Sequence, residues 1–288
     1  MIVEACIVTF GSSAVVGDAI ESLRHLPAGS RVAVHDNCPD DGSLAVARQS
    51  ANLVGLELRA EECKENCGFA SACNSLARSS TADLLLFLNP DAWLLNWPDD
   101  LTEIENTIAA PTLLGRSGEL LRNYGDGRRT LPREAAERWL RIKPRPPDNV
   151  GYVGGAVLLI PREMFLHMGG FDSRFFMYYE DIDLCLRANS HGYSVRLRPD
   201  WLAQHAEAHA AKRDPVVSLV RSYESGRRYY AKSGQSVHAY DALCLIDGVA
   251  RTLLGITGLY VRYGPQHYKK LVRHICKRIG RPLQQSMR

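Results

Sequence analysis

The sequence lacks a G-x-G-x-x-G pattern after its first predicted strand, and it has no long uninterrupted apolar segment. The first absence argues against a dinucleotide-binding enzyme. The second excludes a membrane-spanning helix, which needs about 20 mainly apolar residues. The start, Met1-Ile2-Val3-Glu4, has neither a basic region nor a long apolar one, so we expect no signal peptide.

Neither charge sign is in large excess, and the cysteines show no metal pattern. The net charge of +3 is too small to indicate nucleic-acid binding. The eight cysteines include Cys63, Cys67 and Cys73, whose spacings match no zinc motif. Most of the others lie in apolar segments. We interpret the cysteines as reduced core residues of a cytoplasmic protein rather than as a disulfide framework.

Acidic residues are absent after Asp247, whereas Lys and Arg continue to the end of the chain. In the segment from His267 to Ile279 the apolar residues fall on one side of a predicted helix and the basic residues on the other. This pattern is typical of a helix on an anionic membrane surface. Packing of the apolar side on the domain is the alternative. We favour the membrane, which predicts a peripheral contact on the inner face of the cell membrane.

The segment Leu84–Leu88 has five large apolar residues in a row, which predicts a strand buried on both faces. Pro90 ends the strand because it has no N–H to donate, and Asp91 follows. Strands and helices alternate with short connections through this half of the chain. The pattern predicts an α/β fold with a doubly wound, mostly parallel, Rossmann-like sheet. Ligands bind at the carboxyl edge of such sheets.

Several ionisable residues could carry chemistry at this edge, and each has a structural alternative. Asp91 could hold a divalent cation, or it could simply belong to an Asn-Pro-Asp turn. Glu180 and Asp181 begin a predicted helix, where acidic residues are favoured by the helix dipole whatever the function. Asp36 could cap the helix that follows it. His205 follows a short predicted strand, and a lone histidine is usually structural.

The second half of the chain is less regular. We predict a helix from Trp93 to Glu105 broken near Pro98, a strand over Val153–Ile160, and a helix from Tyr179 to Asn189. The Gly154-Gly155 pair permits close backbone approach to a neighbouring strand or to a sugar. Beyond residue 216 the pattern is helical.

Four segments occur in the order seen in family 2 glycosyltransferases, which the chain resembles. They are Asp36–Ser43, Asn66–Ala70 with Asn74, Leu88–Asp91, and Gly169–Asp172 leading to Glu180–Leu184. Four motifs in register are far more specific than any one alone. The resemblance is strongest to bacterial rhamnosyltransferases of cell-surface polysaccharide assembly. It implies a GT-A fold, a nucleotide-sugar donor, a divalent metal (Mg²⁺ or Mn²⁺) and inversion at the anomeric carbon.

The resemblance also implies roles for individual residues. The nucleotide and sugar would be held by Thr9, Asp36, Asn66, Phe69, Asn74 and Asn89. Asp91 would bind the metal, with His205 as a second contact to the metal or the diphosphate. Asp181 would be the general base that takes the acceptor's proton, with Glu180 beside it. Asn89 stands where many relatives have Asp, so the metal would keep fewer protein charges.

The resemblance predicts residues 1–212 as a GT-A glycosyltransferase domain and 213–288 as a helical, basic extension. Within the domain, 1–92 would bind the nucleotide and 93–212 the acceptor. The donor would be a dTDP- or UDP-sugar, with dTDP-rhamnose favoured, and the acceptor a glycan or polyprenyl-linked glycan. Two alternatives are a nucleotidyltransferase and a non-catalytic nucleotide-sugar-binding subunit of a membrane assembly complex. A nucleotidyltransferase would usually have a glycine-rich loop in place of Thr9–Ser13.

Overall fold

The computed structural model describes residues 1–125, 127–140, 150–206, 214–257, 262–279 and 281. Strands and helices alternate in the first third of the chain. The elements there are β1 (Val3–Thr9), α1 (Val16–Glu21), β2 (Arg31–Asp36), α2 (Ser43–Leu53), β3 (Glu57–Glu62), α3 (Phe69–Ser79), β4 (Leu84–Leu88) and β5 (Ala92–Leu94).

The rest of the described chain adds shorter strands and then helices. These elements are β6 (Thr107–Leu114), β7 (Leu120–Leu121), β8 (Tyr124–Gly125), α4 (Leu131–Leu140), β9 (Tyr152–Val153), β10 (Val157–Pro161), α5 (Arg162–His167), α6 (Glu180–Ser190), β11 (Ser194–His205), α7 (Pro215–Lys232), α8 (Val237–Ile256) and α9 (Pro265–Arg278).

Nine of the described strands form one sheet, in the order β3-β2-β1-β4-β10-β6-β11-β5, with β7 paired to β6. The pairs β3–β2, β2–β1 and β1–β4 are all parallel. Strand β10 is antiparallel to both β4 and β6, while β11 is parallel to β6. The α/β sheet predicted from the sequence is confirmed. Because two reversals cancel, β6 and β11 end at the same edge as β1, β2 and β4.

Strand β4 occupies the middle of this sheet, as its apolar sequence predicts. Its five residues are at most 2% exposed, and neighbours cover both of its faces. On one face Leu84, Leu86 and Leu88 join the core formed with α1 and α2. On the other face the ring of Phe87 packs on Phe165 and Phe171, with centroids 4.9 and 5.0 Å away. Because β4 is held on both faces and ends at Leu88, it sets the position of Asp91 at the edge of the sheet.

The helix predicted from Trp93 to Glu105 is wrong. Residues Ala92–Leu94 form β5, which pairs antiparallel with the end of β11. Further on, Asp100 Oδ1 accepts a hydrogen bond from the Thr102 N–H, a turn that competes with helix formation. A pairing partner more than a hundred residues away in sequence has overridden the local helical pattern here.

The described chain divides into two compact units. The first comprises the described residues within 1–128, 145–173 and 180–207, and it contains the whole nine-stranded sheet. The second comprises those within 129–144, 174–179 and 208–288, and it holds α4, α7, α8 and α9. Among the described residues, no helix has both the length and the apolarity needed to cross a membrane.

Helix α9 uses its apolar side inside the second unit. Tyr268, Leu271 and Ile275 are at most 8% exposed, and α9 packs on α8 and α7. On its other side Lys269 and Lys270 are exposed. The apolar side of α9 therefore packs on the protein itself, which was the alternative to membrane binding. The basic side of α9 remains exposed to solvent.

The helices of the second unit are joined by buried ion pairs. Arg227 and Asp241 pair at 2.9 Å, and the two side chains are only 2% and 1% exposed. Glu224 on α7 accepts from His274 at 2.8 Å and from Arg278 at 2.7 Å, both on α9. Removing one partner of such a pair leaves the other charge buried, which costs more than the pair itself contributes.

We expect Glu224→Gln to lower the thermal midpoint near neutral pH. Burial alone would raise the pKa of Glu224, but hydrogen bonds from His274 and Arg278 outweigh it and lower the pKa from 4.5 to about 2. A lowered carboxyl pKa stabilises the fold above pH 4.5, and this contribution is lost as the pH falls towards 2. The loss should be on the order of 1.5–3 kcal/mol and should shrink in acid.

The matched control is Glu163→Gln, whose side chain is 86% exposed and pairs with Arg162 at the surface. Calorimetric scans of both variants across this pH range make the comparison. An equal effect of the two substitutions at neutral pH would contradict the role assigned to Glu224.

Candidate active site

The carboxyl edge of the sheet gathers residues from five chain segments. Strands β1, β2 and β4 end there, at Thr9, at Asp36 and just before Asn89. Strand β11 ends there at His205, and β10 begins there, because it runs the opposite way. The sequence places polar residues at the ends of β1, β2, β4 and β11, and glycines before β10. Convergence at one edge is the arrangement in which open α/β sheets bind ligands.

Thr9 and Asp36 form the first pair at this edge. Both residues are fully buried, and Thr9 Oγ1 donates to Asp36 Oδ1 at 2.9 Å. The Cys38 N–H also donates to Oδ1, at 3.1 Å. Asp36 Oδ2 is buried and has no hydrogen-bond partner among the described residues. Burial raises the pKa of Asp36 above its ordinary value of 3.8, in spite of these donors. An unsatisfied buried acceptor of this kind suits an N–H or O–H donor of a ligand.

Asp91 and His205 lie together although 114 positions separate them in the chain. Asp91 Oδ1 is 3.2 Å from His205 Nε2, and Asp91 is 6% exposed. Pairing of β5 with β11 sets this distance, since His205 is in register with Ala92, the residue after Asp91. The Ala206 N–H also donates to the Asp91 carbonyl at 2.9 Å. A carboxylate is a ligand that suits Mn²⁺ or Mg²⁺, and an imidazole is a ligand for transition metals.

Asp181 is fixed by two backbone donors at the start of α6. The Gly155 N–H donates to Asp181 Oδ2 at 2.7 Å, and the Ile182 N–H donates to Oδ1 at 2.8 Å. A Cβ on Gly155 would lie 3.2 Å from the Asp181 Cβ, so the glycine permits this close approach. Backbone donors of this kind stabilise an ionised carboxylate. The second glycine of the predicted pair, Gly155, thus approaches a side chain of the site, whereas Gly154 approaches Asn123.

Glu180 has a different environment from its neighbour. It is 6% exposed, and its Oε2 is buried without a hydrogen-bond partner among the described residues. Burial raises the pKa of Glu180 well above its ordinary value of 4.5, and the charge of Asp181 raises it further. A buried acid with a raised pKa, next to a carboxylate held by backbone N–H groups, gives the two residues different chemical roles.

We expect Glu180→Gln to gain stability relative to the wild type as the pH rises. Above pH 4.5 the unfolded chain loses a proton that folded Glu180 retains, so ionisation increasingly favours unfolding. Gln cannot ionise and removes this effect. The difference in thermal midpoint, variant minus wild type, should rise between about pH 4 and about pH 8. A difference that stays constant with pH, like that expected for Glu163→Gln, would contradict the raised pKa.

The other predicted donor-binding residues near this edge are Asn66, Asn74, Phe69 and Asn89, and each makes contacts within the protein. Asn66 Oδ1 accepts from the Gly68 N–H at 2.9 Å and shapes the turn into α3. Both polar ends of the Asn74 amide bond to the Phe171 backbone, at 2.7 and 2.9 Å. Asn74 therefore holds the loop before α6. Phe69 packs on Phe171 with ring centroids 5.9 Å apart, and the Asn89 N–H donates to the Ala156 carbonyl at 2.8 Å.

Two features of this edge were missed by sequence reasoning. One is the contact of Gly155 with Asp181, for which the double glycine was the available signal. The other is a cluster of His35, Cys63 and Cys67 beside Asp36. No rule on cysteine spacing could have found this cluster, because His35 lies in β2 and the two cysteines lie in the connection between β3 and α3.

Comparisons with known proteins agree with this arrangement. A sequence model of the family described as "Glycosyl transferase family 2" matches residues 4–165. The N-acetylglucosaminyl-diphospho-decaprenol L-rhamnosyltransferase of Mycobacterium tuberculosis is 38% identical over 96 residues. That match covers 33% of this chain and 30% of the relative, so the chain matches less than a third of the relative's length.

Solved structures identify the fold. The mannosyltransferase PcManGT from Pyrobaculum calidifontis, in complex with GDP-Man and Mn²⁺, aligns with a TM-score of 0.57 and 16% identity, covering 98% of this chain and 81% of that one. S. aureus TarS 1–349 in complex with UDP-GlcNAc aligns with a TM-score of 0.54 and 14% identity, covering 96% and 72%. The predicted GT-A fold with C-terminal helices is confirmed.

Proposed function

The chain belongs to glycosyl transferase family 2, and we propose that it transfers L-rhamnose from dTDP-rhamnose to a lipid-linked glycan with inversion. The observation that carries the proposal is the convergence of Asp36, Asp91, His205 and Asp181 at one sheet edge. The relative named as an N-acetylglucosaminyl-diphospho-decaprenol L-rhamnosyltransferase supports the choice of L-rhamnose and of a polyprenyl-linked acceptor.

The metal would be held by Asp91 and His205. Their facing atoms, Oδ1 and Nε2, are 3.2 Å apart, the carboxylate suits Mn²⁺ or Mg²⁺, and the imidazole would favour the transition metal Mn²⁺. When bound, such a cation stabilises the charge that develops on the leaving nucleoside diphosphate. PcManGT, a fold neighbour, was solved with Mn²⁺ and GDP-Man. Asp91 is nearly buried, so its charge is available to the cation with little screening by water.

The nucleotide would lie over β1 and β2. Asp36 Oδ2 is a buried acceptor that lacks a described partner, and it would accept a hydrogen bond from the base or the ribose. Thr9 holds the other carboxylate oxygen and so fixes the direction in which Oδ2 points. Asn66, Phe69 and Asn89 border the same edge and would shape the pocket for the nucleotide and sugar.

Asp181 would act as the general base. An acceptor hydroxyl is a weak nucleophile until a base takes its proton during attack on the anomeric carbon. The Gly155 and Ile182 N–H groups donate to the two Asp181 oxygens and hold the carboxylate in one orientation, and an ionised carboxylate is a proton acceptor. Glu180, which is buried and has a raised pKa, would position the helix start rather than take the proton. One carboxylate suffices, because a nucleoside diphosphate leaves without an acid.

Donor choice is tested by thermal protection of the purified chain with dTDP-rhamnose, a UDP-sugar and a GDP-sugar, each with Mn²⁺. We expect the largest metal-dependent rise in midpoint with dTDP-rhamnose. A larger rise with either other nucleotide would reassign the donor. Protection that occurs without any sugar transfer to a prenyl-diphosphate glycan would favour the non-catalytic binding subunit instead.

We also propose that the outer side of α9 contacts an anionic membrane. Lys269, Lys270, Arg273 and Lys277 are exposed on this helix, and each cation near an anionic surface contributes about 1 kcal/mol. The apolar side of α9 is buried, so the contact would be electrostatic and would weaken with salt. Such docking would hold the enzyme at the membrane, where a lipid-linked acceptor would lie.

Flotation with phosphatidylglycerol vesicles tests this contact. We expect the double reversal Lys269→Glu and Lys270→Glu to reduce binding, and the reversal of Arg24 and Arg48, exposed cations of the first unit, to leave it unchanged. Equal loss in both double variants would mean nonspecific charge attraction. Helix α8 also has exposed apolar residues, namely Ile246, Val249, Leu253 and Ile256. If vesicle binding is lost only when these residues are changed, the membrane contact lies on α8 instead.

A further inference from the structure

Three metal-ligating side chains meet beside β2, away from Asp91 and His205. His35 lies in β2, and Cys63 and Cys67 lie in the connection between β3 and α3. Their ligand atoms, one imidazole nitrogen and two sulfurs, all lie within 4.8 Å of one another. We call these three residues the Cys–His cluster. His35 is buried, and the two cysteines are partly buried.

The spacing of the cluster fits a tetrahedral zinc ion. Zinc binds thiolate sulfur at about 2.3 Å and imidazole nitrogen at about 2.0–2.1 Å, which places neighbouring S and N ligands about 3.5 Å apart. The Cys67 Sγ lies 3.6 Å from His35 Nε2. Soft sulfur ligands with imidazole select zinc-class ions over Mg²⁺ or Ca²⁺. The cluster therefore differs in chemistry from the carboxylate site at Asp91.

An outer partner for the histidine is also in place. Glu61 Oε2 lies 3.4 Å from His35 Nδ1, the ring nitrogen that faces away from the sulfur. The contact falls short of hydrogen-bond geometry, and Nδ1 is buried without a hydrogen-bond partner among the described residues. Ser75 and Ser79 donate to the Glu61 carboxylate at 2.6 and 2.9 Å and hold it in place. Zinc-bound histidines almost always have such a carboxylate or carbonyl on their other nitrogen.

The fold, and not the local sequence, brings these groups together. His35 and Glu61 are directly paired in the parallel register of β2 and β3. The Cys63 N–H donates to the Asp36 carbonyl at 2.9 Å, which starts the loop beside the end of β2. The Cys67 N–H donates to Asn37 Oδ1 at 3.2 Å and returns the loop to the same place.

A plain hydrogen-bonded thiol pair is the simpler interpretation, since the Cys67 thiol also donates to Asn37 Oδ1 at 3.3 Å. It leaves the imidazole and its carboxylate unexplained. A bound metal ion deprotonates a coordinating thiol outright, so both cysteines would bind it as thiolates.

We propose that His35 Nε2, Cys63 Sγ and Cys67 Sγ bind one zinc-class divalent ion, with Glu61 orienting the histidine and water in the fourth position. Binding releases the two thiol protons to solvent. The ion would tie the connection between β3 and α3 to the end of β2. That connection contains Asn66, and β2 ends at Asp36. Both are proposed donor-binding residues, so bound zinc should also increase the affinity for the donor. This last consequence alone rests on the proposed function.

The test uses the untagged full-length chain, purified under reducing conditions. Elemental analysis should find about one zinc per chain in the wild type, and Co²⁺ should give the thiolate charge-transfer and tetrahedral d–d bands. Cys63→Ser and Cys67→Ser should each weaken zinc binding by more than about a hundredfold, and Glu61→Gln by about tenfold to a hundredfold. Cys38→Ser, a cysteine of the same edge outside the cluster, should bind zinc like the wild type.

Asp91→Asn separates the two metal sites, because it should retain full zinc content whatever its effect on donor binding. Circular dichroism confirms folding of each variant, and the wild-type cobalt spectrum does not depend on any variant folding. The proposal is overturned if the wild type binds neither ion, or if Cys63→Ser binds zinc as tightly as the wild type. A native disulfide between Cys63 and Cys67, found by thiol titration before reduction, would also overturn it.

Discussion

Replacing Asp181 by Asn is expected to lower the rate constant for sugar transfer by about 10² to 10⁴. Asn keeps the shape of the side chain but cannot take the acceptor's proton. Both Asp181 oxygens accept backbone N–H bonds, from Gly155 and Ile182, so the new amide nitrogen must face one of these donors. We therefore expect a small additional loss of stability. Donor affinity should barely change, because the base contacts the acceptor.

Glu180→Gln is the matched comparison for this experiment. Glu180 lies one position earlier on the same helix, and it is proposed to position the helix start rather than take the proton, so its variant should retain more of the rate. Single-turnover transfer measures both variants, and thermal melts report their folding. A larger loss in the Glu180 variant would move the base to Glu180. Equal small losses would mean that the two acids serve only the start of α6.

Replacing Asp91 by Ala is expected to abolish metal-dependent donor binding. Cation contacts to a diphosphate are worth several kcal/mol, so binding in the presence of Mn²⁺ should weaken at least about a hundredfold. Titration calorimetry of dTDP-rhamnose with and without Mn²⁺ measures this change. The variant should bind the donor equally weakly in both conditions, as the wild type does without metal.

His205→Gln is the matched control, since it changes the imidazole 3.2 Å from Asp91 and leaves the carboxylate in place. We expect a smaller loss of affinity and a remaining response to Mn²⁺. Unchanged affinity in the Asp91 variant would remove the metal from this residue. If only the His205 variant lost its metal response, the histidine and not Asp91 would be the principal ligand.

The parallel half of the fold could be predicted from the sequence. Leu84–Leu88 is apolar throughout, and only a strand covered on both faces satisfies such a run, so the centre of the sheet was predictable. The antiparallel half was harder. Ala92–Leu94 becomes a strand only because the distant end of β11 pairs with it, and no local pattern contains that information.

The site was predictable to different depths. Asp91 could be placed at the ligand edge from strand and proline alone, because the carboxyl ends of parallel strands meet there. The sequence could not show that His205 lies beside Asp91, because the pairing of β5 with β11 sets the distance between these two residues. The residues of α6 show a further limit. Sequence places Glu180 and Asp181 together, but only burial and backbone contacts distinguish the two.

Asn74 and the Cys–His cluster show what family resemblance and spacing rules leave out. Resemblance assigned Asn74 to the donor pocket, while the structure shows its amide bonded at both ends to the Phe171 backbone. Spacing rules dismissed Cys63 and Cys67, because the third ligand comes from β2 through the register of two strands. Both contacts depend on tertiary pairing, which a single sequence does not encode locally.

The most direct measurement is NMR of wild-type turnover with dTDP-rhamnose, Mn²⁺ and a prenyl-diphosphate glycan acceptor. We expect release of dTDP that requires the metal, and a first-formed product whose anomeric configuration is opposite to that of the donor. Retained configuration, or turnover that continues unchanged in EDTA, would contradict the proposed metal-dependent, inverting transfer. Release of diphosphate from a nucleoside triphosphate and a sugar phosphate, without glycan formation, would instead identify a nucleotidyltransferase.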